Sequence, residues 1–121
     1  MLNAELLQDE GILVLAPTGP LSAADFTAAA ALADPYIEQH RALRGLMIEA
    51  RTFPGWENFA GLVAHLKFVR GHQAHIRRIA VVSDSALASI GPSLARHFVK
   101  AEIRSFNSGE RDKALAWLRA D

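Results

Sequence analysis

His65, His72 and His75 lie in a stretch that also holds Lys67, Arg70, Arg77 and Arg78 and contains no acidic residue. Imidazoles bind divalent metals when several converge on one point. Here the spacings are seven and three residues. Seven residues make two helical turns, so His65 and His72 share a face with their Cβ atoms about 10 Å apart along the axis. One ion is not ligated by both from a straight helix, and His75 falls beyond the expected helix end. Neither an HExxH motif nor a His-x3-His pair occurs. The expectation is solvated surface histidines and no metal site. The four cations could meet anionic lipid headgroups or an acidic protein. The favoured reading is a solvated helix end, where cations offset the negative end of the dipole.

Other candidate chemistry is sparse. Glu49 closes an apolar run and could act as a buried acid or base, but equally could point to solvent or pair with Arg51. Ser83-Asp84-Ser85 reads as helix-cap chemistry. No G-x-S-x-G elbow and no Gly-rich phosphate loop is present. No catalytic residue and no cofactor is expected. The most unusual stretch is RTFPGWENF, residues 51–59. Trp56 offers an indole donor and a large apolar face. Its favoured role is a lid, with the ring packed near Phe59 or Ala60 over the end of the core; a ligand-pocket wall is the alternative.

The elements that must position these residues follow from periodicity and punctuation. Glu5–Gln8 and Ile12–Ala16 read as strands joined by a turn at Asp9-Glu10-Gly11, with Gly11 at positive φ. ILVLA is apolar throughout, as in a strand buried on both faces. Ser22 with Asp25 forms a capping-box-like start to a helix. Phe26, Ala30, Ala33 and Ile37 form its stripe. Pro35 should kink or restart that helix, with Asp34 as a second cap. Gly45 ends it and opens the strand Leu46–Ala50. A helix over Asn58–His72 should bury Phe59, Val63, Leu66 and Phe68 or Val69. Ile76–Val82 is a further core strand, and a helix over Ala86–Val99 follows, bent near Gly91-Pro92. Ala101–Phe106 alternates as a half-exposed strand. Asn107-Ser108-Gly109 caps a last helix, Glu110–Arg119, whose inner face is Ala114, Trp117 and Leu118. Strands alternating with helices predict an α/β fold: a mostly parallel five-stranded sheet with an antiparallel first strand and helices on both faces.

Bulk properties agree with one domain over residues 1–121. Half the residues are apolar, and thirteen basic residues balance thirteen acidic ones. Zero net charge gives no general attraction to nucleic acid or an anionic membrane. The absence of cysteine excludes disulfides and thiolate sites and fits a cytoplasmic location. The N-terminus does not read as a signal peptide, and Ala23–Ala33 is too short and polar to span a bilayer.

The strand LMIEA followed by FPGW, then HIRRIAVVSD, AEIRSF and the ending ERDKALAWL, resembles the SpoIIAA-like family. This is a STAS/SEC14-type group of small bacterial proteins related to anti-sigma-factor antagonists. The matching pieces cover most of the chain from Gly45 onward. The resemblance implies a STAS-like right-handed β-α superhelix but brings no established activity. STAS antagonists carry a phosphorylatable Ser or Thr at the start of the helix after the strand equivalent to Leu46–Ala50. Here RTFPGWEN has no serine, and Thr52 lies before Pro54, so a phosphoswitch is not expected at this position.

The leading functional expectation is a non-enzymatic regulatory or binding module that takes a protein partner or a small ligand. The alternative is a SEC14-like carrier or sensor of an apolar small molecule or lipid; an enzyme ranks third. The rule that ligands sit beyond the carboxyl ends of parallel strands nominates Arg51, Phe53, Trp56, Ser83 and Asp84 as the binding residues. A homodimer is admitted; peripheral membrane contact is the lesser reading and nucleic acid is not expected.

Overall fold

The computed structural model describes residues 1–51, 55–84 and 102–120. The expected helix over 86–99, with Phe53 and Ser85, lies outside the described residues. A hairpin opens the chain: β1 (Leu2–Leu7) pairs antiparallel with β2 (Ile12–Pro17), from Leu2 opposite Pro17 to Leu7 opposite Ile12. β1 starts three residues earlier than expected, because Leu2, Ala4 and Leu6 alternate toward the helices while Asn3 and Glu5 face water. Gly11 closes the turn at φ +69°, and a side chain there would also strike Tyr36.

Helix α1 (Ala23–His40) starts in a complete capping box. The Ser22 amide donates to Asp25 Oδ2 at 2.8 Å, and the Asp25 amide donates to Ser22 Oγ at 3.3 Å. The expected break at Pro35 does not occur; α1 runs through it. Proline removes one hydrogen bond, to the carbonyl four residues earlier. That carbonyl belongs to Ala31, and both Ala31 and Pro35 are exposed, so water can serve it. Ala29 and Ala33 meanwhile hold the opposite side against the sheet. The helix ends at Arg41, in the left-handed region at φ 74°. Gly45 is therefore not its cap. It sits inside β3 (Leu43–Glu49), which begins earlier than expected.

β3 pairs parallel with β2. α2 (Phe59–His72) follows, then a short 3-10 turn and β4 (Ile76–Ser83), parallel to β3. β5 (Glu102–Asn107) pairs parallel with β4, and α3 (Arg111–Arg119) ends the described chain. Among the described residues the sheet runs β1-β2-β3-β4-β5 with only β1 antiparallel, as expected. The start of α3 departs from expectation: residue 110 makes no side-chain cap, and its carboxylate instead accepts from the Asn107 amide at 2.9 Å.

Strand period two divides the interior into two layers. Leu13, Leu15, Leu46, Ile79 and Val81 meet Phe26, Ala29 and Ala33 of α1 and Phe68 of α2. Ile12, Val14, Met47, Ala80, Val82 and Phe106 meet Ala114, Leu115 and Leu118 of α3. This is why ILVLA has no polar position: its alternate residues serve different layers. No helix of the described chain is long and apolar enough to cross a membrane.

Candidate functional site

Parallel strands bring their carboxyl ends to one edge. The Ala50 amide donates to the Val82 carbonyl at 2.9 Å and the Asp84 amide to the Arg51 carbonyl at 3.1 Å. Arg51 and Asp84 are thereby joined through backbone with their side chains exposed. Asp84 Oδ1 accepts from Ser108 Oγ at 3.1 Å. Ser83 is fully buried, with its hydroxyl directed at the Asp84 carbonyl, so it is not presented at the surface. Glu49 pairs neither with solvent alone nor with Arg51: Arg111 Nε lies 3.1 Å from its carboxylate.

Trp56 lies apart from that group. Gly55 turns the chain at φ +82°, after which Trp56 forms an isolated parallel bridge with Leu21. The Leu21 amide donates to the Gly55 carbonyl at 2.9 Å, and the Glu57 amide donates to the Leu21 carbonyl at 2.7 Å. α2 then starts with Asn58 Oδ1 accepting from the Gly61 amide at 3.0 Å. The helix lies so close to residues 21–22 that a Cβ on Gly61 would sit 2.5 Å from the Leu21 carbonyl oxygen.

Trp56 does engage α2, as expected, but its hydrogen bond lies further along the helix than Phe59 or Ala60, both of which are exposed. Phe59 is 76% exposed, and the Trp56 ring, 39% exposed, engages His65. Trp56 Nε1 donates to His65 Nδ1 at 3.0 Å, with the rings tilted at 54°. The far side of His65 stacks on Phe26, centroids 4.8 Å apart. Phe26 meets Phe68, and Phe68 stacks on His72 at 4.2 Å. His72 ends the column: Nδ1 faces the Phe68 carbonyl at 2.7 Å and Nε2 faces Asp34 Oδ1 at 2.6 Å.

The two histidines are thus not solvated surface groups. They fill the junction of α1 and α2, and the His72 side chain is only 13% exposed. Burial pushes the His65 pKa below its ordinary value. An indole N–H can only donate, so Nδ1 of His65 must carry a lone pair, which agrees with a neutral ring.

The expected buried side of α2 is Phe59, Val63 and Leu66 with Phe68 or Val69. Phe68 is buried as expected and Val63 is half-buried, but Phe59 and Leu66 face outward, Leu66 62% exposed, and Gly61 is buried in their place. α2 is apolar on both sides, so periodicity alone does not choose between them. The signal that could have chosen is size. Gly61 and Ala64 let the helix backbone approach the Leu21 segment and the sheet, which a stripe of large side chains would prevent. The result is that the large apolar side chains of Phe59 and Leu66 stand exposed on α2, with Trp56 partly exposed just before it, which no single-residue signal marked.

With this architecture in view, the family is settled by comparison. The SpoIIAA-like family model matches residues 12–119, and the chain belongs to that family. A crystal structure of an uncharacterized protein of the DUF3478 family from Shewanella loihica PV-4, described as having a SpoIIAA-like fold, is similar to it. The two superpose with a TM-score of 0.75 at 18% identity, covering 98% of this chain and 92% of the other. At that identity the likeness shows the fold. No curated protein matches the chain.

Proposed function

We propose that the chain is a non-enzymatic, cytoplasmic binding module of regulatory type, and that it docks a protein partner through the surface formed by Trp56, Phe59 and Leu66. One observation carries the reading. Three large apolar side chains stand exposed on one loop-helix unit beside the carboxyl end of the sheet. Clustered exposed apolar groups mark interaction surfaces, whereas scattered single ones need no explanation. Tryptophan at such a surface is typical of binding hot spots. Glu57, next to Trp56 in the chain, supplies an exposed charge, as in a polar rim.

The SEC14-like carrier reading needs an enclosed apolar cavity. The best-formed hollows among the described residues are about 90 and 300 Å³, and both lie toward the other end of the sheet, lined by Arg44 and Arg78 or by Leu6 and Glu10. A protein partner therefore fits the exposed side chains better than a carried lipid does.

The test is site-specific photocrosslinking in cells from a benzoylphenylalanine placed at Phe59, with Glu38 of α1 as the exposed control. The expected result is one discrete adduct with another protein from position 59, none from position 38, and its loss on Leu66→Glu. A smear of adducts, equal labelling from both sites, or an adduct with a second copy of this chain refutes the reading.

A further inference from the structure

At the opposite end of the sheet from Trp56, we infer that the hollow between Arg44, Arg77 and Arg78 is a binding site for a phosphate-type oxyanion, free or as the terminal group of a small monoester. The inference is independent of the apolar surface. The hollow is about 90 Å³ and is lined by these three arginines with Leu118 and Ala120. It opens to solvent and has room for one tetrahedral oxyanion.

Backbone pairing creates the charge concentration. β3 and β4 pair with Leu43 opposite Ile76 and Gly45 opposite Arg78, which sets Arg44 beside Arg77 on neighbouring strands. Like charges at facing strand positions are destabilising unless something lies between them. Both residues border the same hollow, so their charges bear on one small space.

The partners already present do not discharge it. Arg78 is committed: Nη1 donates to the carbonyls of Trp117 at 2.7 Å and Ala120 at 2.8 Å, and Nε faces Glu102 at 3.5 Å. Its guanidinium also lies over the Trp117 ring, 5.3 Å from the centroid. These contacts account for the cation that the carboxyl end of α3 calls for. Arg119 is paired with Glu10. Arg44 makes one long contact, Nη1 to the Arg119 carbonyl at 3.4 Å, and no carboxylate among the described residues pairs with Arg44 or Arg77. Two arginines thus border the hollow, and neither is paired with a carboxylate among the described residues. Guanidinium forks match the oxygen spacing of phosphate, and two forks around one tetrahedral anion replace repulsion by charge-assisted hydrogen bonds.

The experiment follows the arginine Nε–Hε resonances of the full chain while inorganic phosphate is titrated against chloride at constant ionic strength. Glycerol phosphate in a parallel titration separates a free ion from a monoester. Saturating shifts confined to Arg44, Arg77 and Arg78, in the millimolar range or below for either probe, are the expected result. Arg77→Gln and Arg44→Gln should each weaken the response at least tenfold. Arg78 is left intact because it holds α3, and unchanged Leu118 methyl signals confirm that the variants keep the fold. Linear, unsaturating shifts, equal shifts at the exposed Arg51, or wild-type affinity in the variants overturns the proposal. So does binding that appears only in Asp121→Asn, which would show that the chain's own carboxylate takes the place of the ligand.

Discussion

Lowering the pH through the histidine range probes the contact that seats Trp56. Trp56 Nε1 donates to His65 Nδ1 at 3.0 Å, and protonation of that nitrogen would set one N–H against another. Burial already holds the folded-state pKa of His65 below 6.5. In the unfolded chain the ring takes up a proton near pH 6.5. Below that value the unfolded state binds more protons than the folded one, so stability falls as pH falls; above it the ring is neutral in both states and contributes a constant amount. A difference of one whole proton is worth about 1.4 kcal/mol per pH unit. His65 is only half-buried, and solvent screening reduces the expected effect to about 0.5–1 kcal/mol between pH 6.5 and 5.5. Urea unfolding at pH 7.5 and 5.5 measures it, with Trp56 fluorescence read in a Trp117→Phe background. His65→Gln keeps an acceptor oxygen without a titrating proton. Over this interval the parent should lose about 0.5–1 kcal/mol more than His65→Gln, and its Trp56 emission should change with pH while the variant's does not. Equal losses in the two proteins would refute the contact as the seat of Trp56.

Gly45→Ala places a Cβ 2.8 Å from Leu118 Cδ2 and 3.1 Å from its Cβ, inside a fully buried layer. Overpacking of this kind costs about 1–3 kcal/mol, seen as a lower urea midpoint at unchanged slope, and Leu118→Ala in the same chain should show non-additive relief in a double-mutant cycle. On α2, Phe59→Glu and Leu66→Glu should alter stability by no more than about 0.5 kcal/mol, whereas Phe68→Ala should cost about 3–5 kcal/mol; thermal unfolding separates the two sets, and a large loss at Phe59 would return that residue to the core.

Much of the frame was legible in the residues themselves, because it rests on interactions between neighbours in sequence. The capping box needs only Ser22 and Asp25, three positions apart, and it forms as expected. Gly11 adopts the positive φ that its place in the hairpin demands. The run ILVLA announces a strand with no wet side, and Ile12 through Leu15 are buried. Strands alternating with helices leave few ways to build a sheet, so the element order carried most of the topology. The candidate surface was not legible in the same way. Arg51, Trp56, Ser83 and Asp84 were nominated together by their position after strands, yet Ser83 is buried and Trp56 is seated on α2 away from the Arg51–Asp84 pair.

What only the tertiary structure decided was which of two equivalent local choices prevailed. Periodicity states that Phe59, Val63 and Leu66 share one face of α2 and that Gly61, Ala64 and Phe68 share another, but both faces are apolar. The small side chains of the second let the helix close on Leu21, and Phe59 and Leu66 of the first were left exposed. Pro35 stays inside α1 because the carbonyl it leaves without a partner faces solvent, a fact set by how α1 lies on the sheet. Glu49 meets Arg111 and Asp34 meets His72 across spans of chain where sequence spacing carries no information about distance. The sequence by itself determines which residues travel together on an element. Which of those groups meets the core, and which is left exposed for a partner, depends on how closely two elements can approach, and that is a property of the assembled fold.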